Sequence, residues 1–316
     1  MRRDRFSSDE SNQNFYSFSG EKIYIQSGDT KATLSPGLYS IKYCRNSGDL
    51  YMRQQAKSTS DDTLSTPTLD EILNIVSTFY NGVKTNTFAN AGYKSKFGVL
   101  LEGPPGTGKS QTMTTVMTEF IALGGIVVNV SDYEVLDDHN LGKYLRKINN
   151  IQKDQPLMIV FEDVDRVEDY QEVFLTSILD GEQSPENTIF FATTNFKEEI
   201  SDRLKRPGRF DFIYTIDKIT DEVRIAYIQK KIQDLKLEIS QETFDEIVSV
   251  TKGYNFSEIR TFVAYFGFFG FKPADIASKL EDRISDVDAR AEFRFSKREY
   301  LIAKNQEARD EYDIDD

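Results

Sequence analysis

One cysteine, Cys44, and one histidine, His139, stand in a chain of 316 residues. A lone thiol cannot close an intramolecular disulfide, and one Cys with one His cannot furnish a zinc site of ordinary ligand count. A cytoplasmic or other reducing intracellular compartment is therefore expected. Long hydrophobic runs are missing too. The most apolar stretch, FVAYFGFFGF over 262–271, is about half of the ~20 residues that a helix needs to cross a bilayer. Near the start, Arg2, Arg3 and Arg5 lead into Ser, Asp, Asn and Gln rather than an apolar core, so neither a membrane segment nor a secretory signal is expected. Positive charge is scarce: thirty-nine Lys and Arg against fifty-two Asp and Glu leave a formal net charge of −13. That field repels phosphate backbones and disfavours nucleic acid as a partner.

What is present changes character along the chain. Residues 1–13 are polar, with too little apolar surface to order, and are expected to be disordered. Over 14–56, short runs rich in Tyr, Ile and Phe alternate with Gly, Ser, Asp and Pro turns, which predicts a small β-rich domain. At roughly forty residues it is small for independent stability and should pack against something else. Residues 57–67 read as a linker. Leu69, Ile72, Leu73, Val76 and Tyr80 then recur at helical spacing. From Phe97 to Asp217, apolar strands alternate with amphipathic helices, so an α/β domain over 68–217 is predicted, with a parallel sheet covered on both faces. Helical patterns alone follow over 218–300, in Asp221–Leu235, Gln241–Val250, Ser257–Phe271 and Ala274–Ile284. Residues 301–316 form an acidic tail. The aromatic run from Phe262 to Phe271 has helical spacing and is expected to be buried packing rather than a binding surface.

The sharpest signal is Gly103-Pro104-Pro105-Gly106-Thr107-Gly108-Lys109-Ser110. It matches G-x-x-x-x-G-K-[ST] between a predicted strand and a predicted helix, the context the motif requires. The glycines allow successive backbone N–H groups to turn inward, and the following helix aims its positive end at the same point. Residues 103 to 110, together with Gln111, are the expected nucleotide contacts. Lys109 would reach the β- and γ-phosphates, and the Ser110 hydroxyl would ligate Mg²⁺. The bland alternative is a strand-to-helix turn that binds nothing.

Such a loop needs a carboxylate facing it. The run LMIVFEDVD over 157–165 puts Glu162, Asp163 and Asp165 at the end of an apolar strand, where three acids repel one another unless a cation or solvent intervenes. The expected roles are Glu162 for Mg²⁺, through water, and Asp163 for polarising the attacking water. The next strand ends in Thr194-Asn195, where Asn195 could bond both that water and the γ-phosphate. Further on, RPGRFD presents Arg206 and Arg209 around a Pro-Gly turn, suited to a neighbouring subunit's γ-phosphate; the alternative is two surface arginines beside Asp202 and Asp211.

Taken in order, GPPGTGKS, the acidic strand end, TTN and RPGRFD resemble the AAA family of ATPases over about residues 68–285. The resemblance implies a P-loop NTPase sheet of order 5-1-4-3-2 with a C-terminal helical lid, ATP and Mg²⁺ as ligands, and a homo-oligomeric ring. It also implies a hexamer with ATP sites between subunits, coupling hydrolysis to remodelling, unfolding or translocation of a protein client. The stretch GYNFSEI over 253–259 resembles a lid segment of the protein-remodelling members. The order Glu-Asp at 162–163, the stretch from Val128 to Leu141 and the β-rich unit ahead of the ATPase domain are most similar to the Bcs-type group, without its membrane helix. In place of an aromatic pore loop stands LDDHN, with His139, over 136–140. Asp163 is one methylene shorter than the Glu usual at that position, which implies slow turnover. Two other functions fit the same core: a motor or loader acting on nucleic acid, and a nucleotide-gated assembly scaffold with little hydrolysis.

Overall fold

Four apolar runs become the centre of a parallel sheet because each is buried on both faces. They are β5 (Lys96–Glu102), β6 (Ile126–Val130), β7 (Leu157–Phe161) and β8 (Thr188–Thr194). In the computed structural model of the protein, the described residues are 15–19, 22–26, 34–44, 49–56, 66–131, 135, 141–151, 155–180, 184–217 and 219–281. The expected disordered start, most of the linker, the LDDHN stretch with His139 and the acidic tail lie outside them.

The chain divides into two compact units, Met1–Asp217 and Lys218–Asp316. In the first, β5 pairs in parallel with β8 on one side and with β9 (Phe212–Thr215) on the other, while β6 pairs with β7 and β7 with β8, all parallel. From β9 inward the order is β9-β5-β8-β7-β6, which is the 5-1-4-3-2 arrangement expected of a P-loop ATPase core.

Side chains alternate between two apolar layers. Val99, Leu101, Val127, Met158, Val160, Ile189 and Phe191 face α1 (Pro67–Lys84) and α3 (Lys109–Ala122). Leu100, Val128, Val130, Ile159, Phe161, Phe190 and Ala192 face α4 (Leu141–Ile151) and α5 (Asp169–Asp180). Helix α1 starts at Pro67 because the Thr66 hydroxyl accepts from Leu69 N (3.2 Å) and proline is tolerated in a first helical turn. A four-residue helix, α2 (Thr87–Asn90), precedes β5.

The N-terminal strands differ from a self-contained domain over 14–56. The strands β1 (Phe15–Ser19), β2 (Lys22–Gln26), β3 (Gly37–Cys44) and β4 (Asp49–Gln54) form, but β3 pairs in parallel with β6. The nine strands among the described residues make one sheet, β1-β2-β4-β3-β6-β7-β8-β5-β9. The physical reason is core size: Tyr39, Ile41, Leu50 and Met52 share one cluster with Leu141, Tyr144 and Leu145 of α4 rather than building their own.

The second unit is helical: α6 (Asp221–Asp234), α7 (Gln241–Val250), α8 (Phe256–Phe269) and a further helical segment over 273–281. The GYNFSEI stretch is where α8 begins. Asn255 and Glu258 form a reciprocal capping box, each side chain accepting from the other's backbone N–H. The aromatic run does not behave as one buried block: Phe262 and Val263 are buried, whereas Phe268 and Phe269 at the helix end are exposed. Among the described residues no helix is long and apolar enough to cross a membrane.

Candidate nucleotide site

Because β6, β7, β8, β5 and β9 run parallel, the carboxyl ends of β5, β8 and β7 open on one side of the sheet, and the residues expected to handle phosphate gather there. After Glu102 the chain turns through Gly103, Gly106 and Gly108, with φ of 148°, 80° and 102°. At Gly103 a side chain is excluded sterically as well, since a Cβ would lie 2.2 Å from the Ile216 carbonyl oxygen. Intrahelical bonding in α3 starts with Thr112 N donating to Gly108 O at 2.8 Å, so the N–H groups of the preceding residues lie in the turn where a helix has no acceptors of its own.

The loop is braced by its own side chains. Thr107, buried, donates its hydroxyl proton to Pro104 O (2.9 Å). Lys109, also buried, donates from Nζ to Gly103 O (2.6 Å) and Pro104 O (2.7 Å). Burial pushes the Lys109 ammonium below its ordinary range, and the negative charges of Asp163 and Asp165 oppose that shift. The lysine is thus within the field of both carboxylates at the end of β7. Ser110 lies exposed at the start of α3, beside Gln111.

At the end of β7 each acid has separate work. Glu162 Oε1 accepts from Asn129 Nδ2 of β6 (2.9 Å). Asp163 adopts the left-handed conformation, φ 53° and ψ 57°, which is uncommon outside glycine and is best tolerated by Asp and Asn. Its N–H donates to Thr193 Oγ1 (3.1 Å), its Oδ1 accepts from Asn195 Nδ2 (3.0 Å), and its Oδ2 is paired with Arg166 Nη2 (3.0 Å). Asp165 meets the same Asn195 through that residue's backbone rather than its side chain. Its Oδ1 accepts from the Thr194 hydroxyl and from Asn195 N, both at 2.9 Å, and so fixes the turn that carries Asn195. Three acids in a row are therefore explained as one anchor and two candidates for chemistry. Among the described residues no three acidic, His or Cys side chains converge as a metal site. One hydroxyl and one or two carboxylates are hard oxygen donors that fit Mg²⁺, an ion that keeps several waters and takes its other ligands from phosphate.

Arg206 and Arg209 are not with this group. Their loop precedes β9 and lies at the opposite, amino-terminal end of β5. Asp211 clasps it there: Oδ1 accepts from Gly208 N (2.7 Å) and Oδ2 from Gly98 N (3.0 Å). The loop approaches β5 so closely that a Cβ on Gly98 would lie 1.7 Å from Arg209 O. The two arginines also differ. Arg209 is turned onto its own chain, with Nη1 donating to Arg203 O and Nε 3.8 Å from Asp180 Oδ2. Arg206 is exposed and, among the described residues, makes no side-chain hydrogen bond or ion pair. Of the two arginines expected to face outward, Arg206 is exposed, whereas Arg209 is held by Arg203 O with Asp180 at the end of α5 beside it.

Sequence reasoning missed Thr193, Asn129, Arg166 and Gly98. Thr193 could have been found from its place beside Asn195 at a strand end. The others meet their partners through pairing across the sheet or through a left-handed turn, and carry no local signal.

Residues 99–218 match the family described as "ATPase family associated with various cellular activities (AAA)". Over 243 residues the chain is 27% identical to the ATP-dependent zinc metalloprotease FtsH 2 of Salinibacter ruber (strain M8), covering 71% of this chain and 34% of that protein. It is 26% identical over 304 residues to the ATP-dependent zinc metalloprotease FtsH of Magnetococcus marinus, covering 89% and 41%. To the ATPase family gene 2 protein of Schizosaccharomyces pombe it is 29% identical over 176 residues, covering 50% and 21%. The chain thus spans between a fifth and two-fifths of the length of these relatives.

Proposed function

Because residues 99–218 match the AAA family of ATPases, we propose that the chain hydrolyses ATP and works as a homo-oligomeric ring, a hexamer, that uses hydrolysis to remodel, unfold or move a protein client. The N–H groups of the loop from Gly103 to Gly108 and the first turn of α3, through Gln111, hold the phosphates. Lys109, whose Nζ has a third N–H beyond its two bonds to the loop, neutralises the β- and γ-phosphates. Mg²⁺, held by Ser110 and through water by Glu162, would supply charge neutralisation where phosphate charge develops. Asp163 takes the proton of the attacking water as its oxygen bonds to the γ-phosphorus and the bond to the β-side oxygen breaks, releasing ADP and phosphate. Asn195, already bonded to Asp163, orients that water.

The observation that carries the ring is the place of Arg206. Gly98 touches the arginine loop and Gly103 opens the phosphate loop; four residues of strand separate them, so the two glycines lie five steps apart, about 17 Å at ~3.3 Å per step. A long, exposed arginine presented that far from its own phosphate loop fits a γ-phosphate held by another chain, as a finger in trans. Arg209 holds the loop in shape.

A protein client is favoured over nucleic acid by the net charge of −13 and by two relatives whose names describe proteases. The experiment is capture with Asp163→Asn, a variant that should bind ATP without releasing its client. We expect a protein retained with ATP and released with ADP, and no stimulation of wild-type turnover by DNA or RNA. Stimulation by nucleic acid with no retained protein would reverse the assignment.

A further inference from the structure

Asp163 is held at four points, one of them through the exposed side chain of Arg166. Its N–H donates to Thr193 Oγ1 at 3.1 Å, its Oδ1 accepts from Asn195 Nδ2 at 3.0 Å, and its carbonyl accepts the Arg166 N–H at 2.9 Å across the short 3₁₀ turn Val164–Arg166. The fourth contact is the ion pair of Oδ2 with Arg166 Nη2 at 3.0 Å. The Arg166 side chain is 71% exposed and that of Asp163 28%. A side chain so exposed contributes little packing, so its contact with the carboxylate is its principal interaction. Arg166 holds the same residue twice, by backbone and by guanidinium, across a turn in which Asp163 has the left-handed conformation.

For a carboxylate that must accept a proton from water, this is a constraint. Asn195 engages Oδ1 and Arg166 engages Oδ2, and a cationic donor is the stronger competitor with water for a carboxylate oxygen. The Asn195 side of the clamp is part of the sheet end and stays. Arg166, on the surface, is the side that can let go.

We propose that Arg166 is a positioning residue for Asp163, a latch within the chain whose ion pair occupies Oδ2 and so keeps basal ATP turnover low. The proposal rests on the reading of Asp163 as the group that polarises the attacking water. An exposed ion pair three residues apart favours the closed arrangement by roughly two- to fivefold, which bounds what release can bring.

Steady-state ATP hydrolysis by the assembled wild type, Arg166→Ala, Arg166→Lys and Asp163→Ala tests it. The expected result for Arg166→Ala is a kcat raised about two- to fivefold at low salt with KM for ATP unchanged, and Arg166→Lys lies between it and the wild type. Raising salt from about 0.01 M to about 0.15 M shortens the Debye length from ~30 to ~8 Å, so wild-type kcat should climb towards that of Arg166→Ala while the variant stays flat. A kcat for Arg166→Ala equal to or below wild type, in a protein that melts like the wild type, overturns the latch. If Asp163→Ala keeps wild-type turnover, the reading of Asp163 is what fails, and the latch falls with it. If Asp163→Ala is inactive and Arg166→Ala is unchanged, the latch alone fails.

Discussion

The two ends of β5 carry loops that are solved in opposite ways. At the carboxyl end, the phosphate loop satisfies its side chains within the chain: Lys109 and Thr107 bond loop carbonyls, and Asn195 donates to both Asp163 and Asp165. At the amino end, Asp211 and Gly98 fix the backbone of the arginine loop, Arg209 is tied to Arg203 O and lies near Asp180, and Arg206 is left outward with no partner among the described residues. A phosphate site needs preorganised donors in one place. A finger needs a rigid base and an unspent side chain. The contrast is what the proposed roles of phosphate site and finger would require, and it predicts different consequences for mutations at each end.

The largest effect should come from Arg206→Ala. A finger in trans contributes about 10³-fold or more to turnover, so hydrolysis by assembled Arg206→Ala rings should collapse while ATP binding stays close to normal. Arg209→Ala should fall far less, by about tenfold, since that residue only shapes the loop; equal losses for both would erase the distinction between them. Gly98→Ala comes next. Its Cβ would sit 1.7 Å from Arg209 O, so the arginine loop must move, and turnover should drop with nucleotide affinity retained. If affinity falls as much as turnover, the two ends of β5 are not separable.

The smallest effect concerns β9, which joins the two ends: it begins after the arginine loop and runs to Thr215, whose hydroxyl donates to Glu102 Oε1 (2.8 Å). Burial first, then its bond to Glu71 and that residue's charge, push the Tyr214 hydroxyl up to about 12. A folded value raised above the unfolded one means that the stabilisation is present below pH ~10 and is lost as pH rises towards ~12. Denaturation midpoints measured across that window should fall in the wild type and fall less in Tyr214→Phe. An identical decline in both would remove Tyr214 from the anchoring of β9.

What could be read from the sequence was local. GPPGTGKS declares its own turn and helix start, the apolar runs of β5 to β8 declare a buried sheet, and the resemblance carried their order. Non-local choices were not legible. The strands in 14–56 read as strands, but their pairing with β6 depends on a partner some ninety residues away. FEDVD suggests separate roles for Glu162 and Asp163 but not what Asp165 does, and neither the left-handed turn at Asp163 nor the bonds from Thr194 and Asn195 to Asp165 can be read from it. The arginines of RPGRFD look equivalent, until α5 brings Asp180 beside one of them. The aromatic run has the spacing of a single packing face, yet α8 ends at Phe269, where Phe268 and Phe269 stay exposed and Phe269 meets only the rings of Tyr265 and Phe271 among the aromatic contacts of the described residues.

The central claim is that one γ-phosphate site is built from the phosphate loop of one chain and Arg206 of another. Mixing two inactive variants, Lys109→Ala and Arg206→Ala, with tags to confirm co-assembly, tests it most directly. In a mixed ring each Arg206→Ala chain keeps a sound phosphate loop, and a Lys109→Ala neighbour can lend it an arginine. Random one-to-one assembly should restore about a quarter of wild-type turnover if sites act independently. Co-assembled rings that stay as inactive as either parent would contradict the account.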